Sequence, residues 1–177
     1  MNIHPILVHF PVALLTLYAI MEVLRFTKLQ SMVGWWYGKA YLAVVGAVAV
    51  SAAFASGDES GGRSVLDPAT HAKVFELHET WAAVTVTIFV VIGFHYLIEL
   101  LRRNPSVIRF TEKSHLTQQI WNILSRLSRF IGTPMVLVVL ALAGLAAITI
   151  TGGLGGSIVY GADVDPAVSL IYKLMVH

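Results

Sequence analysis

Three features of this sequence predict an all-α integral membrane fold: four transmembrane helices in one bundle. Four stretches of about twenty residues are almost wholly apolar, the length a helix needs to cross a hydrocarbon core about 30 Å thick. Only 12% of the 177 residues are charged while 56% are hydrophobic, and mean hydropathy is +0.75; a soluble domain carries about a quarter charged residues. The charges that remain are sorted, most of the basic ones falling between the first and second stretches and between the third and fourth.

The first span is expected from about Pro5 to Leu24. Pro11 lies inside it and removes a backbone donor, which predicts a kink or a restart near His9. The second span runs from about Trp35 to Ala55, the third from about Leu77 to Leu101 and the fourth from about Phe130 to Ile150. Gly46, Ala43 and Ala47 in the second and Gly144, Ala143 and Ala147 in the fourth belong to small-residue runs. Such residues let membrane helices approach closely, so these two spans are expected to make the tightest contacts. Between the third and fourth spans, Leu116, Ile120, Ile123, Leu124 and Leu127 recur at helical spacing beside Lys113, Arg126 and Arg129. That pattern predicts a basic amphipathic helix lying on the membrane surface. After the fourth span comes Gly152-Gly153-Leu154-Gly155-Gly156, then Asp165-Pro166. Asp as N-cap and Pro as first helical residue would start a short C-terminal helix running toward His177. With no internal repeat and no long linker, residues 1–177 read as a single four-span domain.

Four spans put both termini on one side. Arg25, Lys28, Lys39, Arg102, Arg103, Arg109, Lys113, Arg126 and Arg129 fall on the other, nine of the twelve basic residues. The termini side holds Arg63, Lys73 and Lys173 with Asp58, Glu59, Asp67, Glu76, Asp163 and Asp165. The positive-inside rule makes the nine-residue side cytoplasmic and turns both termini outward. The N-terminal run has no basic leader and no small-residue cleavage site, so it is expected to remain as a span. A net charge of +2 without a clustered basic face points to the lipid bilayer rather than to nucleic acid. The absence of cysteine excludes thiolate metal sites, iron–sulfur clusters and covalent c-type haem attachment.

Seven histidines in so apolar a chain are its most informative feature. His4, His9, His71 and His78 all fall at the outward ends of the first and third spans. His71 and His78, seven apart, share one face if the third helix reaches back that far, about 10 Å apart along its axis. His4 and His9, five apart, diverge by about 140° in a straight helix. An interfacial histidine often does no more than hydrogen-bond between helices, but ionisable groups within spans commonly mark a functional path. Neutral imidazole is a ligand for haem iron and for divalent transition metals. A bis-histidine haem b needs one histidine at similar depth on each of two helices, which makes His9 and His78 the first pair and His4 and His71 the second. A bare metal ion would want three or four ligands, which His4, His9, His71 and His78 with Glu76 or Glu79 could supply. The run His78-Glu79-Thr80-Trp81-Ala82 begins like a metalloprotease helix but lacks its second histidine, so no hydrolase constellation is present. His95 lies deep toward the other side without a partner histidine and is expected to be a hydrogen-bonded bundle residue. His115 and His177 are expected to be solvated.

The octapeptide His4-Pro5-Ile6-Leu7-Val8-His9-Phe10-Pro11, His78 at the start of the third span and the tail Gly155-Gly156-Ser157-Ile158-Val159-Tyr160 resemble a known family across nearly the whole chain. It is the bacterial four-span membrane family "domain of unknown function 2231". The resemblance implies a small protein of the bacterial inner membrane, in which the outward termini read above would be periplasmic; its histidines are candidate haem b ligands, and it is sometimes fused to or beside c-type cytochrome modules. One departure stands out. The family commonly carries a histidine two residues after the tyrosine, where this chain has Ala162. The resemblance therefore implies that one site is lost here, or that His71 or His177 replaces it.

Together these readings predict a b-type haem-binding membrane electron-transfer protein or subunit, not an enzyme on its own. Its haem would lie near the periplasmic face, and its partners would be a periplasmic cytochrome or other subunits of a membrane complex. The alternatives are a non-catalytic anchor or assembly subunit and a divalent-metal-binding accessory protein.

Overall fold

A computed structural model describes residues 4–57 and 64–176. Seven α-helices account for most of these residues, with no strand among them. They are α1 (His4–Val23), α2 (Val33–Ala55), α3 (Pro68–Arg102), α4 (Pro105–Thr111), α5 (His115–Ile131), α6 (Pro134–Tyr160) and α7 (Pro166–Val176). Two short 3-10 turns, Leu24–Phe26 and Lys28–Ser31, join α1 to α2. Four helices, α1, α2, α3 and α6, are long and apolar enough to cross a membrane. They form a closed up-down-up-down ring in which each packs on the next and α6 returns to α1. Apolar side chains such as Leu17, Ile20, Val48, Val90, Val139 and Leu142 cover the outside of the ring, as contact with a lipid bilayer requires.

The core explains where the small residues fall. Leu15, Tyr18, Ala40, Ala43, Phe89, Ile92, Tyr96 and Ala141 make one buried cluster along the ring axis. Gly46 on α2 lies under Leu15 of α1, and Gly144 on α6 lies under the Phe89 ring, where a Cβ would stand 2.7 Å from Cζ. Gly93 on α3 meets Ala47 of α2, with only 2.6 Å between that methyl and a Cβ at 93. The small residues of α2 and α6 therefore receive side chains of α1 and α3; they do not pack on each other, because α2 and α6 sit across the ring.

Three element boundaries differ from the sequence reading. α1 runs through Pro11 as one helix from His4 to Val23, so it does not restart at His9. α3 begins nine residues before Leu77, at Pro68, because Asp67 caps it: its carboxylate accepts from the Ala69 and Thr70 amides at 3.2 and 3.1 Å. α6 starts at Pro134, since the apolar run from Phe130 is divided by a turn at Gly132–Thr133, and it continues to Tyr160 straight through the glycine run. Those glycines are helical because neighbours close over them. Ile171 of α7 seats on Gly153, and Val168 comes within 3.3 Å of a Cβ position at Gly156.

The predicted C-terminal helix is α7, capped by Asp165, which accepts from the Ala167 and Val168 amides at 2.8 and 3.0 Å. α7 folds over the end of the ring that carries the termini. There it closes a second apolar cluster of Val74, Leu154, Ile158 and Val176, with Leu66, Phe75, Trp81 and Tyr172 around it. The Lys73 ammonium fastens it by donating to the Val176 carbonyl at 2.6 Å. At the opposite end α5 docks on α3 through buried Ser125, Ser128 and Ile131. Its other face, Leu116, Ile120, Ile123, Leu127 and Phe130, is left exposed. His177, Asp58, Glu59 and Arg63 lie outside the described residues.

Candidate functional site

Two polar clusters interrupt the apolar interior, one at each end of the ring. At the termini end, His78 lies two and a half turns into α3 and reaches α6, its Nδ1 3.0 Å from the Thr151 carbonyl. A carbonyl only accepts, so Nδ1 carries the proton and donates, which puts the ring's lone pair on Nε2. Gly155 makes this approach possible: a Cβ there would stand 3.1 Å from the imidazole Cε1. Next to it the Thr85 and Thr151 hydroxyls are 3.2 Å apart, extending the polar contact between α3 and α6.

His4 is held from the other side of the ring. Its Nδ1 is 2.9 Å from the Ser56 Oγ at the end of α2. The Ser56 hydroxyl already donates its one hydrogen to the Ala53 carbonyl at 2.7 Å. It therefore accepts from His4, and this imidazole too is protonated at Nδ1 with its lone pair on Nε2. The His4 ring rests against Gly57, 3.4 Å from where a Cβ would be. His4 and His78 stand on helices that lie across the ring from each other.

The other predicted ligands are placed differently. His9 is exposed on the outer side of α1. His71 sits on α3 one turn before Phe75 and stacks on that ring, with centroids 5.7 Å apart and planes at 29°. The structure thus places His78 from the first predicted pair and His4 from the second at the same end of the ring, each bonded to a different neighbouring helix. Among the described residues no three histidine or acidic side chains converge as a metal ion would need. The three- or four-ligand arrangement of His4, His9, His71 and His78 with Glu76 or Glu79 is not formed, because α1 turns His9 outward and Glu76 and Glu79 are exposed on α3.

The second cluster was not anticipated. Glu22, with no exposed surface, lies between three helices. Its Oε2 accepts from the Lys39 ammonium of α2 at 2.8 Å and from the Tyr96 hydroxyl of α3 at 3.0 Å. Arg25 Nη1 approaches Oε1 at 2.8 Å as an ion pair, without hydrogen-bond alignment, and donates to the Pro134 carbonyl of α6 at 3.1 Å. Tyr18 closes the group edge-on to Tyr96, with ring centroids 5.7 Å apart. Lys39, counted above with the basic residues of this side, is buried. The signal was present: a carboxylate and an ammonium inside spans one and two are each functional-site flags in a membrane helix. Beside this group His95 behaves as expected, its Nδ1 donating to the Ser128 carbonyl at 2.8 Å and tying α5 to α3. His115 is exposed.

The arrangement separates two chemistries: a histidine pair able to offer Nε2 ligands at one end, and a cationic, carboxylate-anchored group at the other. No family model, curated protein or solved structure matches this chain.

Proposed function

We propose that this chain is a four-span bacterial inner-membrane protein that holds haem b near a periplasmic face through His78 and His4, and serves as an electron-transfer subunit. One observation carries the reading. Both imidazoles are locked as Nδ1–H tautomers, by the Thr151 carbonyl and by the Ser56 hydroxyl, on opposite sides of the ring. Ligating histidines characteristically donate their second nitrogen to a carbonyl or similar acceptor, which fixes the tautomer and raises ligand basicity. An Nδ1–H tautomer is the form a haem ligand would need, and Gly155 and Gly57 keep side-chain bulk off both rings. When bound, a haem supplies one-electron transfer. The chain's part is to orient the two rings, to shield them beneath α7, and to present this end to a periplasmic cytochrome or to another subunit of a complex. The basic end, with α5 lying in the headgroup plane, would face the cytoplasm. This reading also matches what the resemblance to the four-span family implies.

The test is the absorption spectrum of protein purified from haem-replete cells. A Soret band with sharp α and β bands on reduction is expected. It should be lost in His78→Ala and His4→Ala and kept in His95→Ala and His115→Ala. His9→Ala separates the two pairings, since its loss together with retention in His4→Ala would restore His9 as the partner of His78. Wild-type protein that takes up no haem would overturn the reading in favour of a non-catalytic anchor subunit.

A further inference from the structure

The basic end of the ring carries a cleft that the haem reading does not use. It has a volume of about 280 Å³ and opens between α3 and α5, with Arg25, Trp36, His95, Glu99, Arg102 and Arg129 on its walls. Its charge does not balance. Glu99 is paired with Arg102 at 2.8 Å, and Arg25 is drawn to Glu22 behind the wall. Glu22 is itself matched by Lys39. Arg129 remains: it is exposed, and among the described residues it makes no hydrogen bond or ion pair. Arg103 stands just outside, its guanidinium 3.7 Å above the Trp36 ring, and adds to the positive field. Three guanidinium groups, from the ends of α1, α3 and α5, thus face one cleft against a single carboxylate.

From this we infer that the cleft is a binding site for a phosphate group, supplied by the headgroup of an anionic phospholipid. A guanidinium presents planar, paired N–H donors that match phosphate oxygens, and basic pockets between membrane helices at the cytoplasmic side take anionic headgroups. The surroundings favour a lipid over a free anion. Arg102 closes α3 and Arg129 stands five residues before α6 begins, at headgroup depth if these apolar helices cross the bilayer. Away from the cleft run exposed apolar side chains, Leu127 and Phe130 on α5 and Met135 and Val139 on α6, which acyl chains would cover. A bound headgroup would bridge Arg129 of α5 to Arg102 of α3, adding a second tie to the His95–Ser128 hydrogen bond.

Native mass spectrometry of the full chain tests this, with phosphatidylglycerol and phosphatidylcholine of identical acyl chains titrated separately. Wild type is expected to retain the anionic lipid about tenfold more tightly. Arg129→Gln should remove most of that preference, Arg129→Lys should keep part of it because charge survives without the fork, and Arg109→Gln, an equal charge change outside the cleft, should alter it by less than about twofold. Haem content should stay at the wild-type value in every variant, which separates this site from the histidine pair. Displacement of the lipid by millimolar inorganic phosphate, lost in Arg129→Gln, would support the phosphate site and overturn the lipid as its source. Equal retention of the two lipids, or equal effects of the Arg129 and Arg109 changes, would overturn the site.

Discussion

Glu22 shows how a single side chain organises this interior. A buried carboxylate costs several kcal/mol in lost hydration, and only good partners offset that. Here the partners come from two neighbouring helices and from the 3-10 turn that follows its own: Lys39, Tyr96 and Arg25. Removing Glu22 would strand two cations, whereas removing Lys39 leaves the carboxylate still paired with Arg25. We therefore expect Glu22→Met to cost about 3–5 kcal/mol, the range for breaking a buried pair. Lys39→Met should cost less, and Glu22→Met/Lys39→Met should recover part of the loss. Unfolding in detergent, followed by circular dichroism, gives the order; a Lys39 change as damaging as the Glu22 change would contradict this account. Gly155 works by the opposite means, through what it lacks. Without a Cβ it leaves the His78 ring room to reach the Thr151 carbonyl on the preceding turn of α6; a methyl at 155 would stand 3.1 Å from Cε1 and crowd the ring.

At the scale of elements, α3 is the longest helix. Its 35 residues span about 52 Å at 1.5 Å per residue, some 20 Å more than a hydrocarbon core of about 30 Å requires. The surplus is the platform that α7 covers. Asp67 starts it, and hydrogen bonds from Thr70, then from the Ala69 amide, hold this exposed carboxyl below the usual carboxylate range. A lowered folded-state pKa means that the cap's contribution is fully present above the unfolded value and fades as pH falls through the folded one. Amide exchange at Ala69 and Thr70 should therefore quicken in acid, below the ordinary carboxylate pKa. Asp67→Asn, which still caps but does not titrate, should remove that pH dependence. Exchange that quickens equally in both proteins would assign it to something other than this cap. α5 shows the reverse partition of surface, packing Ser125 and Ser128 inward beside Ile131 and leaving Leu116, Ile120, Ile123 and Leu127 exposed. A helix so arranged needs an apolar medium on its outer side, the physical ground for proposing that it lies in the headgroup plane.

For the whole molecule, the closed ring with α7 on one end and α5 on the other makes the two ends chemically unlike. His4, His9, His71 and His78 with Asp67, Glu76, Asp163 and Asp165 gather where the termini are, and arginines gather opposite. Burial of Lys39 removes one cation from the surface of the basic end but leaves its excess intact. We expect a reporter fused after His177 to be active only outside the cytoplasm, and one inserted beside Lys113 only inside. Exchanged activities would turn the molecule over, moving the histidine pair to the cytoplasm and the arginine cleft to the outer leaflet.

The helical class, the four spans, the capped C-terminal helix and the gathering of histidines at one end could all be read along the chain, because each rests on local composition, spacing or capping. The hydrogen-bond partners of His4 and His78 could not. They depend on which helices lie side by side, the Ser56 hydroxyl and the Thr151 carbonyl being 52 and 73 residues away in sequence. The same is true of the helical glycine run, since Gly153, Gly155 and Gly156 look like a break until Ile171, His78 and Val168 are seen to close on them. Lys39 could be assigned to the basic side because its charge is local information, whereas Glu22, 17 residues away, is its partner only once α1 and α2 lie side by side. Local propensity and hydrophobic length act along the chain; the choice of partner for a buried polar group is made by packing between helices.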